Sequence, residues 1–214
     1  MKILKIFFLF FFITSMIYSQ SNITNTLGTG GMFIIKDVSN NYLTLDQSTG
    51  QMNILKTLRL ENTTSPNLGV IYKSADRFIH NYGIDNTFIG IKSGNFAMTG
   101  SNNTAVGVQS LISNTDGNWN TAFGVNSLYN NTTGYQNTAI GMASLQYNNS
   151  GYENTALGVN SLSNNTVGYQ NTTIGVQSLY SNTTGYWNTV VGLNSLFSNT
   201  TGFQNTAVGL GSLN

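Results

Sequence analysis

The chain contains no cysteine, one histidine (His80) and one proline (Pro66). Without thiols there can be no disulfide and no thiolate metal site. Charge is nearly as scarce, at 7% of residues, against roughly 25% in an ordinary soluble domain. The net charge of +1 leaves no basic patch for phosphates and no polybasic stretch for anionic lipid. The lone imidazole has only Asp76 and Asp85 as near carboxylates in sequence, and no residue is marked as a nucleophile for a triad. It reads as an ordinary polar residue at a junction. Asp46 and Glu61 show no pairing suited to glycoside chemistry. Aspartates are too few to line calcium sites. Gly28, Gly30 and Gly31 lie outside any strand-to-helix phosphate loop. The expectation is a non-enzymatic chain with no catalytic residue, no cofactor and no metal.

What is present begins with an address. Lys2 and Lys5 precede a dense apolar run, Ile6 to Ile17, and Ser19 supplies a small residue before a cut after Ser19 or Gln20. The run is shorter than the roughly 20 residues of a membrane span. Residues 1–20 therefore read as an export signal, which predicts a secreted or cell-surface product with no transmembrane span in the mature chain.

From Gly83 the sequence repeats every 17 residues. Asn-Thr recurs in that step from Asn86-Thr87 to Asn205-Thr206. A glycine stands three residues before each Asn, Gly83 to Gly202, and another four residues after it, Gly90 to Gly209. A serine follows, Ser93 to Ser212, and then a leucine in all but the first copy, Leu111 to Leu213. The consensus is G-Y-Q-N-T-A-I-G-V-N-S-L-Y-S-N-T-T, with seven complete copies over 83–201 and a partial eighth. Helical-hairpin repeats need about 33 residues or more, and the unit is poor in helix formers. N-T-A-I-G alternates like a short strand, with Thr and the aliphatic two places on sharing a face. The two glycines fit positive-φ turns.

The fold predicted is all-β: a parallel β-solenoid, or β-roll, with one coil per repeat at about 4.8 Å spacing. Stacking in register also explains the missing charge, because like charges directly opposite destabilise a sheet. The buried ladders are expected at the residue before the second glycine (Val106, Phe123, Ile140, Leu157, Ile174, Val191, Val208) and at Leu111 to Leu196. Asn114 to Asn199 should form an amide ladder. So thin a coil buries little, which favours association between chains. Residues 21–82 hold most of the charge and read as a small non-repetitive β cap or neck. Strands are expected there over 32–38, 42–45, 51–60 and 70–72.

At N-T-A-I-G-x-x-S-L the repeat resembles the head repeats of YadA-like trimeric autotransporter adhesins. It is closer still to N-T-A-x-G-x-x-A-L-x-x-N-T-T-G arrays of secreted fibre proteins, which often end in an endosialidase-type self-cleaving chaperone. The resemblance covers residues 83–214 and implies a left-handed β-roll in a homotrimer with an adhesive or spacer role. The 17-residue unit is longer than the adhesin repeat, so its corners should differ. No anchor or chaperone sequence follows, and the last copy breaks off without a polar cap, so a truncated gene is one expectation.

The candidate contact surface is an aromatic row just after the first glycine, Tyr135, Tyr152, Tyr169, Tyr186 and Phe203, with Trp119 and Trp187 one place further on. Such a row can meet a glycan or a protein on a neighbouring cell, or its rings can simply stack on one another. The leading functional expectation is a structural or adhesive surface fibre. The alternatives are an extracellular amyloid-type subunit and an ice-binding solenoid presenting its threonine row.

Overall fold

The computed structural model describes residues 32–36, 41–46, 51–54 and 69–213. Residues 1–20, read above as an export signal, lie outside them, as does the stretch 55–68. The chain divides into two units, 1–59 and 60–214. In the first, β1 (Met32–Lys36), β2 (Asn41–Asp46) and β3 (Gln51–Ile54) form an antiparallel meander in that order. Its strands fall where they were expected, the first and third with shorter described bounds and the second one residue longer at each end.

The second unit is a parallel β-solenoid. A hairpin of β4 (Ile71–Lys73) and β5 (Asp76–His80) leads into β6 (Thr87–Ile89). Seven further three-residue strands follow: β7 (Thr104–Val106), β8 (Thr121–Phe123), β9 (Thr138–Ile140), β10 (Thr155–Leu157), β11 (Thr172–Ile174), β12 (Thr189–Val191) and β13 (Thr206–Val208). All ten strands make one sheet in sequence order, antiparallel from β4 to β6 and parallel thereafter. Each parallel pair joins residues one repeat apart, as in Thr138↔Thr155, Ala139↔Ala156 and Ile140↔Leu157. The strand Asp76–His80 was not legible in the sequence, because its D-R-F-I-H run does not alternate cleanly.

Three residues of strand per coil would leave most backbone polar groups unpaired if stacking ended there. It continues around the corners. In the fourth coil, Gly141 N donates to Phe123 O at 2.8 Å and Ala143 N to Val125 O at 2.9 Å, both backwards. Leu145 N donates to Ser161 O at 3.1 Å and Tyr147 N to Ser163 O at 2.9 Å, both forwards. Each coil is thus tied to both neighbours through turn residues as well as through the strand.

The interior is as much polar as apolar. Leu111, Leu128, Leu145, Leu162 and Leu179 are fully buried, as expected. The second apolar column is not the expected one. The buried strand residue is the middle one, Ala105, Ala122, Ala139, Ala156 and Ala207, with Thr173 and Val190 in two coils. Val106, Phe123, Ile140, Leu157, Ile174, Val191 and Val208 instead point outward with the threonines. Thr and the aliphatic residue do share a face, but it is the outer one. The coil is too narrow to hold two large side chains at one level, so the leucine fills it and the strand contributes only a small residue.

Two asparagine ladders complete the interior. Asn131 Nδ2 donates to Asn114 Oδ1 at 2.8 Å and to Gly134 O at 2.9 Å, the amide ladder the sequence foretold. The Asn of each Asn-Thr pair forms a second one. Asn137 Nδ2 donates to Asn120 Oδ1 at 3.1 Å and to Gly151 O at 2.8 Å, and Asn137 Oδ1 accepts from Asn154 N and Nδ2, each at 3.1 Å. With both amide hydrogens donated and the oxygen doubly accepting, a buried Asn is fully satisfied. That is why the position carries Asn in every copy.

The two glycine positions differ in purpose. Gly141 has φ +133, a region in which L side chains are strained. Gly134 has no positive φ. A Cβ there would lie 2.6 Å from Asn148 Nδ2 and run into the Gly151 carbonyl. The first glycine therefore permits close approach between coils, and the expectation of a positive-φ turn there holds only for Gly83, at φ +88. Left-handed backbone falls instead on residues with side chains: Gln136 at φ 54, Ala143 at φ 56 and Leu145 at φ 50, with their counterparts in other coils. A left-handed Leu costs about 1–2 kcal/mol. Burying that Leu side chain returns about 1.5–3 kcal/mol, so the inward leucine can hold the corner.

Candidate functional site

The aromatic row is a stack. Tyr135, Tyr152, Tyr169, Tyr186 and Phe203 lie with ring centroids 4.8–5.0 Å apart and planes within 5° of parallel. Each coil advances the stack by one strand spacing, and that rise alone sets the ring separation. The faces of the inner rings are taken by their neighbours, so the row shows its edges and hydroxyls. The Tyr169 phenol is pushed above its usual pKa, first by desolvation within the stack and then by the phenols of Tyr186 and Tyr152. A second pair at another corner, Tyr180 on Phe197 at 5.1 Å, was not singled out from the sequence. The recurrence of Tyr or Phe after the buried leucine was its signal.

The tryptophans do not join the stack. Trp187 stands at 77° to Tyr186 and 80° to Tyr169. It is 49% exposed. Its indole Nε1–H donates to Gln170 Oε1, and Gln170 Nε2 donates to Glu153 Oε2 at 2.8 Å. Trp119 is 59% exposed and has no ring partner among the described residues. Both tryptophans sit at left-handed corners, φ 54 and 56, as do Gln136, Glu153 and Gln170 between them.

A second surface flanks the second glycines, one column at the outward strand ends and one in the turns that follow. The residues on either side of the second glycine are apolar in every copy, from Ile89 and Ile91 to Val208 and Leu210. Phe123, Val125, Ile140, Met142, Ile174, Val176 and Leu193 are all substantially exposed. Alongside runs the threonine column, in register from Thr87 to Thr206.

His80 is the other place where the structure departs from the sequence reading. It is buried, not an ordinary junction residue, at 3% exposure. Its Nε2 donates to Ser93 O at 2.8 Å and its Nδ1 accepts from Tyr82 N at 3.3 Å, which defines the neutral Nε2–H tautomer. Phe88 and Phe96 lie against the ring at 4.8 Å each. Desolvation lowers its pKa to about 4, helped by the nearby Arg77 charge and opposed by the Ser93 hydrogen bond. Arg77 packs over Phe96 at 5.1 Å and its guanidinium donates to the Gly94 and Ser93 carbonyls. The cluster joins the hairpin to the first coil. Among the described residues, no group of three or more His, Cys, Asp or Glu could hold a metal ion, and no helix is long and apolar enough to cross a membrane.

Comparison of the chain with protein families, with curated proteins and with solved structures finds no match.

Proposed function

We propose that the chain is an exported, non-enzymatic subunit of a homotrimeric structural or adhesive surface fibre. The observation that carries this reading is the apolar double column that flanks the second glycine of each coil. It runs through every coil without a polar interruption. Eleven of its sixteen side chains are exposed and the other five partly so, which offers on the order of 1,000 Å² per chain, more than the few hundred Å² of an ordinary monomer patch and comparable to one side of a standard interface. A straight seam along a rod suits association side by side. The thin interior, half of it polar, gives a lone coil little apolar burial, which association between chains would supplement.

The test is the native mass of residues 21–214 by light scattering, with and without brief heating in SDS. A trimer is expected. Ile140→Asp combined with Ile174→Asp should yield a monomer, because each charge would be desolvated inside the seam. A wild-type monomer would overturn the reading. It would favour ice binding instead, the second reading, which the outward, in-register threonine column supports. Thermal hysteresis of that monomer tests it.

A further inference from the structure

We propose that the corner column from Trp119 to Trp187 is a binding track for an extended, neutral, β-linked polysaccharide. This deepens the adhesive-fibre reading and rests on it. Three observations meet here. The indoles keep about half or more of their surface exposed, yet each sits in a left-handed corner, φ 54 and 56, where bulky residues are strained. A buried leucine offsets that strain through its side chain; a half-exposed indole does not.

The second observation is spacing. The tryptophans are four coils apart in the same column, about 19 Å at the strand spacing of about 4.8 Å. A pyranose advances an extended chain by nearly one coil. An oligosaccharide running along the column would therefore meet an indole at each end and one polar side chain at each level between. The third is the chemistry of those side chains. Gln136, Glu153 and Gln170 supply donors and acceptors at hydroxyl height. Glu153, Gln170 and the Trp187 indole are already linked by hydrogen bonds, which reduces the ordering cost of binding.

Equatorially linked sugars show flat C–H faces to aromatic rings and hydroxyls at their rims, matching a ridge of indole, amide, carboxylate, amide, indole. The single carboxylate disfavours anionic polymers. The absence of any cation in the column disfavours phosphates. Helical α-linked glucans would not follow a straight column. A protein hot spot would be a desolvated pocket rather than an open ridge.

Both tryptophans of the chain lie in this column, so tryptophan fluorescence, excited where the tyrosines do not absorb, reports on it alone. Cellohexaose titrated into the native protein should give a saturable change, with maltohexaose giving none. Cellobiose, which reaches one indole, should bind at least tenfold more weakly. Trp119→Gln and Trp187→Gln, which install the residue other coils carry at the same φ, should each weaken retention in a cellohexaose-linked gel about tenfold. No response to cellohexaose, equal affinity for the disaccharide, or unchanged retention of both variants would overturn the proposal. An oligomer that fails to bind defeats this inference alone, and a monomer that binds defeats the fibre reading alone.

Discussion

Coil one breaks the repeat in two places at once: Phe88 stands where the other coils have Ala, Thr or Val, and Gly94 where they have Leu. Phe88 is fully buried, and a Cβ on Gly94 would lie 2.6 Å from its Cγ and Cδ1. The ring occupies the space that leucine fills elsewhere. Gly94 has φ +61, against 49–53 for the leucines, so the backbone accepts a leucine and only the ring excludes it. Phe88→Ala should cost about 3–5 kcal/mol through cavity formation. Gly94→Leu should cost about 1–3 kcal/mol or more through overpacking. The double variant restores the repeat. It should lose only the His80–Phe88 ring contact, about 1 kcal/mol. The coupling between the sites is then at least about 3 kcal/mol, at the top of the range for touching residues. Repeat arrays open locally, so the measurement is hydrogen exchange of amides 87–99, with about 1.4 kcal/mol per tenfold change in protection. Additive losses in the double variant would refute the exchange of ring for leucine.

The His80 imidazole, with its pKa lowered to about 4, is neutral in both folded and unfolded chains above about pH 6.5. Between there and pH 4 only the unfolded chain takes up the proton, so stability falls with falling pH, by at most about 3 kcal/mol. Protection of residues 76–89 should drop between pH 7 and 4.5, and His80→Gln should flatten that difference; equal protection of the wild type at both values would contradict the buried neutral ring. Gly141→Ala puts a methyl 2.5 Å from Gly158 O at φ +133, whereas Gly211→Ala, at φ +58 with nothing within 4 Å, matches Ala143 at φ 56. Thermal melting followed by circular dichroism should show a loss of about 2 kcal/mol or more for the first and almost none for the second. Asn137→Asp replaces a double donor with a buried charge facing Asn120 Oδ1 and Gly151 O. It should destabilise by about 3 kcal/mol or more at pH 7 and recover partly at pH 4; a neutral result in urea unfolding would refute the amide ladder's role.

The repeat period alone was enough to establish parallel stacking, register and the absence of stacked charge, because a constant 17-residue step places like on like at one strand spacing. It also pointed to the leucine column, the Asn114 to Asn199 ladder and the tyrosine row, each a residue type recurring in register. It took the folded coil to decide which side of the strand faces inward. Alternation defines two faces but does not label them, and in so narrow a coil the small residue, not the large one, goes inside. The corners were equally hidden: left-handed Gln, Trp and Leu carry no local signal, since their backbone is held by hydrogen bonds to the coils above and below. The buried His80 and the Phe88–Gly94 exchange depend on contacts between segments that no period relates, and the separation of the tryptophans from the stacked tyrosines follows from the turn each corner imposes on its side chain.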